Sequence, residues 1–216
     1  MKDKVINLWN SNKAFFLFIV LMFMFRSSFA DWNVVPTGSM QPTIVEGDRI
    51  LVNKLAYDVN LPFTDISVLT VSNPVRGDIV IFDSAVSKIR LVKRVVGEPG
   101  DKVELKANVL YINDERLSYE NIEFGKGLID QKEDLVGVEH LIRVNRFGSA
   151  YSSFAPIVVP QGYYFVLGDN RDNSADSRAI GLIPRSEIVG RTNSVVMSLN
   201  YDNYYLPRFN RFFKAL

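Results

Sequence analysis

Two segments of the chain hold side chains whose type and spacing could do covalent chemistry. The first is Pro36-Thr37-Gly38-Ser39-Met40-Gln41-Pro42-Thr43. Pro36 and Pro42 restrict the backbone on either side of Ser39, and Gly38 carries no Cβ to hold a substrate backbone away. A hydroxyl so held becomes a nucleophile when a base lies beside it; the same residues also suit a surface turn. The second is Ile89-Arg90-Leu91-Val92-Lys93-Arg94-Val95-Val96. On a strand alternate residues share a face, so Lys93 aligns with Ile89, Leu91 and Val95, while Arg90 and Arg94 project to the other side. A lysine at its ordinary pKa of ~10.4 is almost wholly protonated near neutral pH, and burial must depress it before it can accept a proton. A lysine snorkelling from an edge strand fits the same pattern.

A third segment, Leu167-Gly168-Asp169-Asn170-Arg171-Asp172-Asn173-Ser174-Ala175-Asp176-Ser177-Arg178, is dense in small polar side chains. Calcium binding is the rival to consider, with Asn170, Asp172, Ser174 and Asp176 as alternate ligands. The EF-hand template fails, because Ala175 stands where it needs glycine and Gly181 where it needs a bidentate glutamate. A hydrogen-bonded loop that orients other groups and a solvated turn both fit.

Composition narrows the chemistry further. There is no cysteine, which removes thiolate nucleophiles, disulfides and thiolate-bound metals. His140 is the only histidine, so a multi-histidine metal site is impossible and a histidine-based triad would have to pass through this residue. Its neighbours Glu139 and Leu141 suggest an ordinary loop or strand position. A net charge of +1 with well-mixed signs gives no electrostatic case for a nucleic-acid partner.

The elements that must position these residues read as β structure almost throughout. Alternating or β-branched runs cover 48–55, 78–82, 89–96, 109–112, 157–159, 163–167 and 188–199. Between them lie Asn73-Pro74, Arg76-Gly77-Asp78, Glu98-Pro99-Gly100-Asp101 and Pro160-Gln161-Gly162, of which Pro99-Gly100 fits the centre of a type II turn. Residues 106–155 are more polar and less regular, as in an insertion or cap. The segment 201–216 mixes Tyr204, Tyr205, Phe209, Phe212 and Phe213 with Arg208, Arg211 and Lys214, which suits packing on the domain or a membrane interface.

The amino-terminal part is different. Ala14 to Phe25 is unbroken apolar sequence, preceded by Lys2, Lys4 and Lys13 and followed by Arg26. Its length also suits the core of a cleavable signal peptide, and Ser28-Phe29-Ala30 reads as a small-x-small cleavage site. A helix continued to Ala30 reaches about 17 residues, the short end of a membrane span, and this retained anchor is the favoured reading. The lysines place the amino terminus in the cytoplasm and the remainder outside.

Together these segments closely resemble the type I signal peptidases, the serine/lysine leader peptidases of bacterial export. PTGSMQPT is similar to the family's nucleophile box, RGDIVIF to the strand after it, RLVKRVVGEPGDKV to its lysine box and GDNRDNSADSR to its last signature, in the family's order. The resemblance implies Ser39 as nucleophile and Lys93 as general base. It implies an oxyanion hole from the Thr37 hydroxyl and the Ser39 amide, with Ser174 orienting the Lys93 amine and Asp176 and Arg178 bracing the loop as an ion pair. It implies no cofactor and no metal. The partners implied are exported preproteins with small residues before the cut, and the lipid bilayer.

The fold expected is mainly β: an antiparallel β-sheet catalytic domain with a smaller inserted β cap, preceded by one N-terminal transmembrane helix. The divisions are 1–30 (cytoplasmic amino terminus and anchor), 31–105 (catalytic domain), 106–155 (cap), 156–200 (catalytic domain continued) and 201–216 (aromatic and basic tail). The place implied is the bacterial inner membrane, with the catalytic domain on the extracytoplasmic side. A conjugation-type pilin peptidase would use the same dyad on another substrate. A self-cleaving repressor would need a DNA-binding helix pair where this chain has an apolar segment. A membrane-tethered scaffold would need neither serine nor lysine.

Overall fold

The computed structural model describes residues 12–23, 29–64, 66–125 and 127–216. Residues 12–23 are helical, and their Phe15, Leu17, Phe18, Val20, Leu21, Met22 and Phe23 side chains are exposed. Among the described residues no helix is long and apolar enough to cross a membrane. The expected span extends over 24–28, and Ser28 of the cleavage-like tripeptide falls there too; these residues lie outside the described ones.

Beyond the helix the chain is built from antiparallel strands. In order they are β1 (Ala30–Val34), β2 (Asp48–Asn53), β3 (Asp58–Asn60), β4 (Ser67–Thr70), β5 (Ile79–Ser84), β6 (Ile89–Gly97), β7 (Lys102–Lys106), β8 (Val109–Ile112), β9 (Glu115–Arg116) and β10 (Ser118–Phe124). Then follow β11 (Leu128–Asp134), β12 (Glu139–Asn145), β13 (Phe154–Val158), β14 (Tyr163–Leu167), β15 (Ile183–Pro184), β16 (Ile188–Thr192), β17 (Ser194–Asn200), β18 (Leu206–Pro207) and β19 (Lys214–Ala215). The principal sheet runs β15-β14-β6-β5-β16-β2-β17-β18, with β1 added on β2 and β19 on β17. Between β6 and β14 the chain makes two further sheets, β10-β11-β12 and β13-β7-β8-β9, and β3 pairs with β4 as a separate ribbon.

β5 shows why the principal sheet reads as a near-continuous apolar run. Its residues alternate between two buried clusters. Ile79 and Ile81 join Val35, Met40, Ile44, Ile50, Val52 and Val195. Val80 and Phe82 join Tyr57, Val95, Tyr164, Val166, Ile183 and Ile188. Burial on β6 instead grows along the strand, so Ile89 is exposed, Leu91 half-buried and Val95 fully enclosed. Lys93 therefore stands at the buried end, paired in register with Val80.

The turn after β6 has the expected form: Asp101 N–H donates to the Glu98 carbonyl at 3.0 Å, and Gly100 takes φ +98°, as a type II turn requires at its third residue. The single apolar run over 188–199 divides into β16 and β17. The segment 201–216 is tied down by its arginines. Arg211 makes two bonds of 3.0 and 2.6 Å to Asp48, and Arg208 donates to the Glu46 carbonyl at 2.8 Å, while Tyr204, Phe209 and Phe213 stay exposed.

Candidate active site

Ser39 is presented on a single 3-10 turn, Gly38–Met40, that follows β1. Thr37 precedes the turn with extended dihedrals (φ −132°, ψ 155°), and Gln41 N–H closes it on the Gly38 carbonyl at 3.1 Å. Met40 is fully buried and Ile44 donates back to its carbonyl at 2.9 Å, so an apolar anchor behind Ser39 fixes the turn on the core. A Cβ at Gly38 would come within 2.9 Å of the Gln41 side chain. Gly38 itself is buried against the Gln41 and Glu46 side chains.

The lysine comes from the neighbouring strand. Lys93 Nζ donates to Ser39 Oγ at 2.7 Å and to the Val92 carbonyl at 3.0 Å. Lys93 is 2% exposed, and burial pushes its pKa down from 10.5 to about 8. Asp176 and Asp169 favour its charge and Arg178 opposes it, but loss of hydration outweighs them. Ser39 and Lys93 open onto a groove of about 320 Å³ walled by Trp32–Pro36 on one side and Ile89–Val92 on the other. Thr37 lies on the same groove, exposed, and its side chain makes no capping bond to the turn. A larger hollow of about 750 Å³, bordered by Asp58 and Arg185, contains none of these residues.

Behind the pair lies the polar loop that follows β14. Arg178 and Asp176 form a buried ion pair, with bonds of 2.8 and 2.7 Å. Asp176 also accepts Gly168 N–H at 3.0 Å and caps the short helix α1 (Ser177–Ile180). Ser174 differs from its expected contact with the lysine. Its hydroxyl is buried and has no hydrogen-bond partner among the described residues, so it does not hold the Lys93 amine in this arrangement. Lys93 Nζ bonds instead to Ser39 Oγ and to the Val92 carbonyl.

The polar residues that could be read as calcium ligands bind other groups. Asp172 accepts from Asn108, Asn145 N–H, Ser149 and Ser152, and Asn170 reaches the Gly38–Met40 turn. Among the described residues no cluster of three or more His, Asp or Glu could hold a metal ion.

Four further residues shape the site through contacts that their place in the sequence does not indicate. Asn170 donates through Nδ2 to the Gly38 carbonyl at 3.0 Å and through its amide to the Ser39 carbonyl at 3.1 Å. Asp169 binds Arg94, the residue next to Lys93, through bonds of 2.9 and 2.8 Å. Gly168 has no space for a Cβ, which would overlap Ser174 Oγ and the Ser39 carbonyl oxygen. The signal was present in the density of small polar residues at 168–178, but it does not say which of them touches the turn.

The same loop is bonded to the inserted sheet. Arg143 on β12 donates its N–H to the Asp169 carbonyl and accepts Arg171 N–H, both at 2.8 Å, and its side chain reaches Gln41 Oε1 at 3.0 Å. Arg171 inserts beneath and pairs with Glu133, which also accepts from Tyr119 at 2.6 Å. His140 is a buried β12 residue whose Nε2 lies 3.3 Å from Glu133. Burial works against the Glu133 charge, but Arg171 and His140 hold its carboxyl below the usual range.

A hydroxyl in contact with a buried, weakly basic lysine is the arrangement from which a serine hydrolase works. A family model described as signal peptidase, peptidase S26, matches residues 8–197. Signal peptidase I of Pseudomonas aeruginosa is 37% identical, over 92% of this chain and 76% of its own length. Signal peptidase I of Bacillus amyloliquefaciens is 36% identical, over 90% of this chain and 88% of its own. The crystal structure of a signal peptidase I from Enterococcus faecalis V583 shares 29% identity with a TM-score of 0.38, over 56% of this chain and 98% of that one. The chain belongs to the signal peptidase family, peptidase S26.

Proposed function

We propose that this chain is a membrane-anchored serine endopeptidase that removes signal peptides from exported preproteins, with Ser39 as nucleophile and Lys93 as general base. The observation that carries it is the 2.7 Å contact between Ser39 Oγ and a lysine whose pKa burial has brought to about 8. Neutral Lys93 takes the Ser39 proton as Oγ attacks the scissile carbonyl, then gives that proton to the leaving amine. A water activated by the regenerated lysine next cleaves the acyl-enzyme ester. Thr37 Oγ and the Ser39 amide hold the anion that forms on the carbonyl oxygen. The Asp176–Arg178 pair braces the loop, and Ser174, whose hydroxyl is unpartnered, is the acceptor left for the Lys93 amine once substrate engages Ser39.

The preprotein lies extended in the groove beside β1, with small residues at the first and third positions before the cut. The inserted segment 106–155 backs the site as a cap. The apolar segment 14–30 spans the bacterial inner membrane, leaves the amino terminus in the cytoplasm and holds the site at the outer surface. There it raises the effective concentration of cleavage segments emerging from the bilayer. The test is cleavage of a model preprotein in liposomes by wild type, Ser39→Ala and Lys93→Ala, with product termini identified by mass. The expected result is a cut after a small residue by wild type alone, both variants being folded and inactive. Cleavage surviving in either variant would refute the dyad, and a folded wild type that cuts no preprotein would refute the substrate class.

A further inference from the structure

We infer that Asn170 is a positioning residue for the nucleophile and its oxyanion hole, setting the two peptide planes that flank Ser39. The inference rests on the reading of Ser39 as nucleophile. A peptide unit is planar, so whatever fixes its carbonyl fixes its N–H. The Gly38 carbonyl and the Ser39 N–H belong to one such plane. The Gly38 oxygen receives Asn170 Nδ2–H at 3.0 Å and Gln41 N–H at 3.1 Å. Both bonds aim the opposite end of that plane, the Ser39 N–H, which is the main-chain oxyanion donor of the proposed mechanism. They also draw electron density toward the Gly38 oxygen, which makes the Ser39 N–H a stronger donor. The plane that follows is fixed the same way, because the Ser39 carbonyl accepts Asn170 N–H at 3.1 Å.

A residue can set its neighbours only if it is held itself. Asn170 is 7% exposed and forms an isolated parallel bridge with Arg143. The residues on either side of it are bonded to the Arg143 main chain at 2.8 Å, and Asp169 is clasped by Arg94. Asn170 is therefore fixed against β12 and, through Asp169, against the strand that carries Lys93.

The variants to compare are Asn170→Ala, which keeps the main-chain bond and removes Nδ2, and Asn170→Asp, which keeps the shape and turns an oxygen toward the Gly38 oxygen. Each is measured per folded molecule, by thermal melting, on the same model preprotein, with Ser39→Ala as the blank and Thr37→Val as the second arm of a double-variant cycle. Expected is a fall in kcat of about ten- to a hundredfold, the scale of a misplaced reacting group, with KM and the apparent pKa of the base unchanged. Combined with Thr37→Val, the losses should be less than multiplicative, since both act on one anion. A kcat within about twofold of wild type in either variant, or losses that multiply fully, would overturn the assignment. An active Ser39→Ala blank would instead refute the nucleophile on which it rests.

Discussion

Arg94 and Asp169 meet through two parallel hydrogen bonds of 2.9 and 2.8 Å where neither side chain reaches solvent. Burial alone would raise the Asp169 pKa, but the Arg94 guanidinium outweighs it and holds the carboxyl below its ordinary value. The pair links the strand that carries Lys93 to the loop that holds the Ser39 carbonyl. Replacing Asp169 with Asn leaves a buried guanidinium without its counter-charge and should cost about 3–5 kcal/mol in urea unfolding. Arg94→Met combined with Asp169→Leu should recover much of that stability. A loss below about 1 kcal/mol in the single variant would mean that the pair does not hold the loop.

With Lys93 as the proposed general base, the pH dependence of cleavage follows from its titration. With the Lys93 pKa near 8, kcat/KM should rise with pH through an apparent pKa of about 8 and level off above it. A rising limb near 10.5 would show that Lys93 is still hydrated when it reacts.

Stability should show the opposite face of this shift. Lys93 titrates lower in the folded chain than in the unfolded one, so between about 8 and 10.5 the unfolded chain binds more protons and stability climbs with pH. Below that window the full cost of a buried charge applies, on the order of 3 kcal/mol. Lys93→Met should therefore melt higher than wild type at pH ~7, and the gap should close as pH approaches the ordinary lysine pKa of ~10.4. A variant that melts lower than wild type at neutral pH would contradict this.

Thr37 is an exposed residue on the groove, and its side chain makes no capping bond to the turn it precedes. Thr37→Val should lower kcat by the typical worth of one oxyanion donor, about 2.7–4 kcal/mol of barrier, while Thr37→Ser stays close to wild type. Equal rates in the three proteins would remove Thr37 from the mechanism.

Gly168 offers a steric test. A methyl group there meets Ser174 Oγ on one side and the Ser39 carbonyl on the other, so Gly168→Ala should push the loop off the turn. The expected cost is about 1–3 kcal/mol in stability, with a larger proportional fall in activity. An alanine variant with wild-type kcat and melting temperature would mean that the loop yields without disturbing Ser39.

Much of this could be read from the residues in order. β8 and β14 were legible to the residue because their apolar runs are bounded by turns, and the alternation around Lys93 was enough to suggest a lysine placed among apolar neighbours. β10 to β12 were not legible. Their inward positions include Glu133, and Arg143 is half-buried against Asp130, so charge pairing replaces the apolar alternation that marks a strand. Arg94 was assigned to the side opposite Lys93 with no role, because nothing local indicates that Asp169 waits there. Asn170 was hidden for the same reason: the Gly38 carbonyl is 132 residues away in sequence, and only the tertiary crossing brings them together.

The same separation divides the site along the chain. A nascent chain that stops before Gly168 already carries Ser39 and Lys93, 54 residues apart. It still lacks the loop that carries Asn170, Asp169 and the Asp176–Arg178 pair. On the proposed mechanism, a fragment truncated there holds both members of the dyad without the contacts that position them.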